Sequence, residues 1–247
     1  MPTVRLSLFV RRLVMWVSPF MTVSYVSSVE AQSQRMAAPA VRLAELRVDP
    51  AQLDAFIAAA KEHVDAAMRL EPGILAFHVA AEKDHKDRVR VLEMYVDERA
   101  YEAHLQSPHF RRFRAATQGM TLSRELHEAV PVLLGAKPRL PEARPMVRVA
   151  EIDIDPLQLD AYKAAVSKEI ESSIRVEPGV LAIYAVCLRD RPTHLRFFEI
   201  YADDPAYRQH IASPHFRRYV DTTKPMITSR VLLEAEPIVL RLKTRRN

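Results

Sequence analysis

The sequence predicts an α+β fold built from two copies of one small domain. The first observation is an internal repeat: AELRVDPAQLDAFIAAA from Ala44 aligns with AEIDIDPLQLDAYKAAV from Ala150, an offset of 106 residues (150 − 44). The second is that residues 44–134 and 150–240 align without an insertion. The third is the order of hydrophobic patterns in each copy, which is strand, helix, two strands, helix, strand. A period this long is typical of a duplicated domain and not of a solenoid repeat.

The first strand and first helix of each copy are predicted from an alternating pattern followed by a helix start signal. Residues Val41 to Val48 alternate between apolar and polar side chains, as expected of a half-buried strand. Asp49 and Pro50 then suit the cap and the first turn of a helix. The helix is predicted to continue to about Leu70, because its apolar residues recur at helical spacing, and Glu71-Pro72-Gly73 ends it.

The second half of each copy is predicted to contain a hairpin, a broken helix and a last strand. A charged stretch between two apolar runs favours the hairpin turn. Ser107-Pro108 interrupts the helix that follows, and it starts a second helical piece with Ser as the cap. The predicted bounds are Ile74–Ala81 and Val89–Val96 for the hairpin strands, Glu98–Leu105 for the helix and Leu122–Leu134 for the last strand.

This element order is that of a ferredoxin-like βαββαβ unit, an antiparallel sheet with both helices on one face. Because the other face is bare, we expect the two copies to pack face to face as a pseudo-dimeric α+β barrel around an interior cavity. The alternative is two domains side by side, each dimerising with another chain. The predicted segments are a leader over 1–31, a first domain over 41–134, a Pro-rich linker over 135–145 and a second domain over 147–240.

The first 31 residues have the pattern of an export signal. Basic residues precede an apolar run from Leu13 to about Val26, and Val29-Glu30-Ala31 suits signal cleavage. An uncleaved anchor is the alternative, which Pro19 and several Ser and Thr residues disfavour. Cleavage predicts an exported protein, periplasmic or secreted, with no stable membrane span.

Composition argues against several classes of function. The chain has only four glycines and no Gly-rich phosphate loop, which excludes a Rossmann or P-loop nucleotide site. Its nine histidines form no H-x-x-x-H pair, and there is no C-x-x-C motif, so no metal is predicted. The net charge of +5 lies partly in the leader, and the other charges are mixed in sign, so no nucleic-acid partner is predicted.

Both copies contain three motifs in the same order: E-P-G-x-L-x-F at Glu71, E-x-Y-x-D-x-x-A-Y-x-x-H from Glu93 to His104, and S-P-H-F at Ser107, with their counterparts at Glu177, Glu199–His210 and Ser213–Phe216. These motifs resemble the antibiotic biosynthesis monooxygenase (ABM) family, especially its quinol monooxygenase-like branch. The resemblance implies a dimeric α+β barrel with a pocket between the second helix and the sheet. It also implies oxygenation of an electron-rich aromatic or quinol compound without flavin, haem or metal, although family members also isomerise small compounds and degrade haem.

Four residues of each copy are candidates for catalysis. Oxygenation without a cofactor requires a base, hydrogen-bond donors and a dry pocket. Glu93 and Tyr95 are two apart on a strand and therefore share a face, although Glu93 could only fix the packing. His104 belongs to the motif, and His109 lies in a first turn whose positive end disfavours imidazolium; a structural role is the alternative for both. The predicted catalytic residues are these four with Glu199, Tyr201, His210 and His215.

The two copies are expected to differ in substrate or in competence. His78 in the first copy corresponds to Tyr184, Phe77 to Ile183, and Arg47 to Asp153. The leading hypothesis is a cofactor-independent monooxygenase that uses molecular oxygen on a small quinol-like or polyphenolic compound. The alternative is a non-catalytic or isomerising small-molecule-binding barrel, and a homodimer of tandem units is possible for either. The predicted substrate contacts are Phe77, His78, Tyr184, Phe110 and Phe216.

Overall fold

The computed structural model describes residues 38–140 and 145–243, and both repeats have the predicted element order. The predicted leader lies outside these residues. None of the described helices has the length and hydrophobicity needed to cross a membrane. Repeat one contains β1 (Ala40–Val48), α1 (Leu53–Leu70), β2 (Ile74–Glu82), β3 (Arg88–Tyr95), α2 (Glu98–Gln106), α3 (Pro108–Thr117) and β4 (Thr121–Ala136). Repeat two contains β5 (Met146–Ile154), α4 (Leu159–Val176), β6 (Val180–Leu188), β7 (His194–Tyr201), α5 (Asp204–Ala212), α6 (Pro214–Thr223) and β8 (Ile227–Leu242).

The helix starts are set by the capping residues that the sequence contains. The Asp49 carboxylate accepts the backbone N–H of Ala51 at 2.9 Å and opens a short 3₁₀ turn that leads into α1. Ser107 ends α2 and caps α3, its hydroxyl accepting the backbone N–H of Phe110 at 3.2 Å. The predicted helix break is therefore present, and it fixes the angle between the two short helices.

All eight strands form one closed antiparallel barrel in the order β1-β3-β2-β8-β5-β7-β6-β4. The long last strand of each repeat joins the halves: β4 pairs with β1 at Val41–Ala129 and, further along, with β6 at Leu134–Tyr184. Strand β8 does the same with β5 and β2. The pseudo-dimeric α+β barrel is confirmed: β4–β6 and β2–β8 pairing joins the edges of the two sheets, and their bare faces meet in the barrel interior. Gly135 and Ala136, predicted in the linker, belong to β4.

The barrel interior is filled with apolar side chains from both repeats. Val41, Leu43 and Leu92 of repeat one meet Val147, Val149 and Ile200 of repeat two in one buried cluster. The expected cavity inside the barrel is therefore wrong, and the larger cavities of the described residues lie outside it. There the helices cover the sheet: Phe56, Ala60, Val64 and Ala67 of α1 pack on Phe77, Val79, Val91 and Tyr95.

Charged residues of both repeats meet at one end of the barrel. Arg90 contacts Glu45 of its own repeat and Glu151 of the other, the latter at 3.1 Å. Arg196, the counterpart of Arg90, lies 3.4 Å from both carboxylates. These four side chains are only 13–24% exposed, so solvent screens the network less than it screens surface pairs. The network therefore adds a charged link between the repeats to the strand pairing.

Candidate functional site

Each repeat has a cavity between its helices and the outer face of its sheet. The first cavity, in repeat one, has a volume of about 330 Å³, and the second, in repeat two, about 430 Å³. Both are walled mainly by apolar and aromatic side chains with a few polar groups, as small-molecule sites commonly are. The first cavity is lined by Phe56, Phe77, Phe110 and Phe113 among others, and the second by Ile183, Phe197, Phe216 and Tyr219 among others.

A glutamate–tyrosine pair lies at the same place in both repeats. The Tyr95 hydroxyl donates to Glu93 Oε2 at 2.6 Å, and the Tyr201 hydroxyl donates to Glu199 Oε2 at 2.9 Å. Glu93 lines the first cavity, whereas Glu199 and Tyr201 line the second. The predicted shared face of each pair is therefore present, and the tyrosine hydrogen bond occupies one oxygen of each carboxyl group.

The environment of these carboxyl groups favours the protonated form. Burial among apolar groups raises the pKa of Glu93, and burial raises the pKa of Glu199 to about 7 despite the Tyr201 hydrogen bond and the charge of Arg148. Burial and the neighbouring Glu93 also raise the pKa of Tyr95, which therefore stays a neutral donor. A carboxyl group with a pKa near neutrality can both accept and return a proton, which suits a general acid–base role.

The predicted histidines form a buried network with a glutamate that the sequence did not assign to the site. Glu71, at the end of α1, accepts hydrogen bonds at Oε1 from His104 Nδ1 at 2.8 Å and from His109 Nε2 at 2.5 Å. Burial opposes ionisation of Glu71, but the hydrogen bonds from both histidines outweigh it and lower its pKa. The bond from Nδ1 fixes the His104 tautomer and leaves Nε2 buried without a partner among the described residues.

Repeat two contains the same network at matching positions. Glu177 Oε1 accepts from His210 Nδ1 at 2.9 Å and from His215 Nε2 at 2.7 Å. His210 lines the second cavity, whereas the lining of the first cavity does not include His104. His109 instead lines a separate groove between α1 and α3. The network pins the break between the short helices to the end of the long helix, and a catalytic role for the four histidines stays a prediction.

The same residue types could in principle hold a metal ion. Ligand atoms of Glu71, His104 and His109 lie within 4.8 Å of one another, and so do those of Glu169, His210 and His215. Ligands about 2.1 Å from a tetrahedral zinc ion are spaced ~3.4 Å apart. The contacts of 2.5–2.8 Å at Glu71 are shorter and have the length of hydrogen bonds. At Glu71 the geometry therefore favours a hydrogen-bonded network, which sequence spacing could not show because the partners are far apart in the chain. In the second cluster Glu169 Oε1 lies 3.7 Å from His210 Nε2, so the distance in that cluster does not favour a hydrogen-bonded network in the same way.

His63 of α1 is a cavity residue that the sequence reasoning missed. Its ring stacks on Phe113 with centroids 4.7 Å apart and an interplanar angle of 10°, and it lines the first cavity. Burial, and then the neighbouring His104 and His109, lower the pKa of His63 to about 3, so the imidazole is neutral. Its Nδ1 is buried without a partner among the described residues. The sequence feature that could have indicated that His63 faces the sheet is its position in the same helical stripe as Phe56, Ala60 and Ala67.

His78 and Tyr184 lie inside the barrel and line neither cavity. His78 Nε2 is 3.4 Å from the Tyr184 hydroxyl, and the two rings stack with centroids 5.4 Å apart. Both side chains therefore lie away from the two cavities, and their contact with substrate stays a prediction. The reason for this placement is strand alternation, since Phe77 and His78 are adjacent and must point to opposite faces. Phe77 and Phe110 line the first cavity and Phe216 lines the second, where substrate contact stays a prediction.

Comparisons with known proteins agree with this architecture. A family model described as antibiotic biosynthesis monooxygenase matches residues 39–116 and again residues 145–222. A "putative monooxygenase" of Lactobacillus acidophilus NCFM is 20% identical with a TM-score of 0.79, covering 83% of this chain and 97% of that chain. One from Fusobacterium nucleatum subsp. nucleatum is 20% identical with a TM-score of 0.80, covering 84% and 96%.

A more distant structural neighbour is an anthrone oxidase-like protein. It is 13% identical to this chain with a TM-score of 0.57, covering 84% of this chain and 94% of that chain. Identities this low show a shared fold alone. No curated protein matches this chain.

Proposed function

The chain belongs to the antibiotic biosynthesis monooxygenase family, and we propose that it oxygenates a small quinol-like or polyphenolic compound without a cofactor. The observation that carries the proposal is the carboxyl group of Glu93, set in an aromatic cavity with a raised pKa and with one oxygen held by Tyr95. Glu199 and Tyr201 repeat this arrangement in the second cavity. The substrate class fits the walls, since planar rings pack well against Phe side chains.

The proposed reaction needs only groups that line the cavity, a phenolic substrate and oxygen. The free oxygen of Glu93 takes the proton of a substrate hydroxyl, which creates an electron-rich phenolate. The phenolate passes one electron to O₂, and the resulting superoxide and aryloxyl radical combine at a ring carbon. Glu93 returns its proton to the peroxide, which loses water as the ring C–H proton leaves. The overall reaction converts a phenol and O₂ into a quinone and H₂O, and each product receives one of the two atoms of O₂.

Basic side chains and a dry interior would stabilise the charged intermediates. Arg42, Arg114 and Arg124 line the first cavity, and Arg42 is held by a salt bridge to Glu98. Arg114 and Arg124 are exposed, so water screens their charge, whereas the less exposed Arg42 favours a phenolate or superoxide next to it. The apolar and aromatic walls offer water few hydrogen-bond partners, which strengthens the electrostatic interactions next to them. We therefore place the oxygenation in the first cavity.

Oxygen uptake by the purified protein tests the proposal. We expect uptake with hydroquinones or naphthols to proceed in samples shown to lack flavin and metal, with water as the second product. Glu93→Gln should reduce the rate by about 10², the usual loss for a general base. Glu102→Gln, on an exposed position of α2, is the matched control and should leave the rate unchanged. Uptake that depends on added flavin or metal, or a Glu93→Gln enzyme of normal rate, would contradict the proposal.

A non-catalytic or isomerising role is the second candidate. The observation that favours it is the second cavity, which has two carboxyl groups of raised pKa, Glu169 and Glu199, and could transfer protons without oxygen. Ligand binding or proton exchange without oxygen uptake would support this candidate.

We also propose that the chain is exported after removal of residues 1–31, as the leader pattern predicts. N-terminal sequencing of the protein from its native host should then begin near Gln32. An intact Met1 on a membrane-bound protein would exclude this proposal.

A further inference from the structure

One wall position distinguishes the two cavities in charge. His63 of α1 and Glu169 of α4 occupy equivalent positions of the two repeats, and they are 4% and 6% exposed. His63 lines the first cavity and Glu169 lines the second. The other carboxyl group that lines each cavity, Glu93 in the first and Glu199 in the second, is the same residue type in both repeats. A buried carboxyl group therefore replaces a buried neutral imidazole where a ligand would be recognised.

In the second cavity two carboxyl groups each keep one oxygen for a ligand. Glu169 Oε1 accepts from the Ser173 hydroxyl at 2.6 Å and lies 3.7 Å from His210 Nε2. Glu199 Oε2 accepts from the Tyr201 hydroxyl. Among the described residues, Glu169 Oε2 and Glu199 Oε1 have no hydrogen-bond partner, and both residues line the cavity, so these oxygens are the candidates to accept from a ligand.

The other walls of the second cavity suit a cation as well. Phe197, Phe216 and Tyr219 line it, and the faces of aromatic rings attract ammonium groups. Two exposed basic groups, Lys224 and Arg230, also line the cavity, where water screens them. The less exposed cation near Glu199 is Arg148, whose charge is paired with Glu234 at 2.8 Å, and His215 lies near Glu169. His210 faces Glu169 from α5, and its Nδ1 is bound to Glu177.

We propose that the second cavity binds a small aromatic or alkyl amine as its ammonium ion, and that Glu169 is the residue that selects for it. The matching residue of the first cavity, His63, has an unpartnered Nδ1 that can pair with a neutral hydroxyl group but does not supply a negative charge. The amine site goes beyond the proposed oxygenation, which requires no amine. Because burial raises the pKa of both Glu169 and Glu199, binding of an ammonium ion should release protons from the cavity.

Calorimetric titration with matched ligands tests this site. The probes are benzylamine and 2-phenylethylamine, each compared with its alcohol counterpart, at pH 6 in two buffers of different ionisation enthalpy. We expect each amine to bind at least tenfold more tightly than its alcohol, with a buffer-dependent enthalpy that shows proton release. Equal affinities of amine and alcohol would overturn the proposal, and so would binding of Zn²⁺ or Mn²⁺ in place of the amine.

Exchanging the two residues assigns the effect to one position. Glu169→Gln should weaken amine binding at least tenfold and leave alcohol binding unchanged. Glu169→His introduces the residue found in the first cavity and should have the same effect, so it provides the test if the Gln variant does not fold. His63→Glu should create a second amine site, raising the stoichiometry from one to two. Glu171→Gln, exposed on the same helix, is the control. Amine binding that survives both changes at Glu169 would refute the assignment. The titrations do not measure oxygen uptake, so their outcome is independent of whether the oxygenase proposal holds.

Discussion

The free energy of unfolding should depend on pH through Glu199 in a way that a single substitution removes. Burial raises the pKa of Glu199 from its ordinary value of 4.5 to about 7. Between these two values the folded protein keeps a proton that the unfolded chain has lost, so stability falls as pH rises through this window. Each unit of pKa shift corresponds to ~1.4 kcal/mol, so ionising Glu199 costs up to ~3 kcal/mol of stability. The cost is smaller where water in the cavity solvates the carboxylate.

Glu199→Gln removes this proton and its cost. We expect the stability difference between Glu199→Gln and the unmodified protein to grow in favour of the variant from pH 4.5 to pH 8, by up to ~3 kcal/mol. Urea unfolding at pH 4.5, 6 and 8 measures it, and the comparison cancels the groups that both proteins share. Glu171→Gln, an exposed change in the same repeat, controls for charge. A difference that stays constant across this range would refute the argument that Glu199 is protonated in the folded cavity.

Three further predictions follow from close contacts and from strand pairing. Gly73→Ala should lower the free energy of unfolding in urea by ~1–3 kcal/mol, because its added Cβ would lie 2.6 Å from the Cβ of Ala100. Gly119→Ala, where an added Cβ meets nothing within 4 Å, is its matched control and should change stability by less than ~0.5 kcal/mol; equal losses would contradict the packing. Glu71→Gln should lower the melting temperature in calorimetry by several degrees, since it weakens the acceptor of two buried imidazoles, and an unchanged melting temperature would show that the network is not structural. Repeat one expressed alone should dimerise, because the end of β4 then lacks its β6 partner; sedimentation of a stable monomer would exclude this.

Much of the fold could be predicted from the sequence because local signals agreed. Alternation located β1 within one residue, and Ser107 marked the helix break as its cap. The mode of barrel closure could not be predicted, since alternation shows which face is apolar but not which strand edges pair. The last strand illustrates this: its end at Ala136 lies beyond the predicted Leu134, and those last residues pair with the other repeat.

The candidate site was predictable where it depends on a single strand. The shared face of Glu93 and Tyr95 follows from alternation alone, and the hydrogen bond between them bears it out. The partner of His104 could not be predicted, because Glu71 is 33 residues away and meets it only when the short helices pack. His63 could not be predicted as a cavity residue, because it lies in an apolar helical stripe. A single polar residue in such a stripe is normally assigned to the core, and only the structure shows the cavity next to it.

The fusion of both halves in one chain has an evolutionary consequence. In an assembly of two identical subunits every substitution occurs twice, so both binding sites change together. Here the two halves share a barrel but have separate codons, and a mutation at one site leaves the other intact. The pair His63 and Glu169 is such a divergence. Gene duplication thus allows selection to keep one ancestral specificity while a second is acquired within the same molecule.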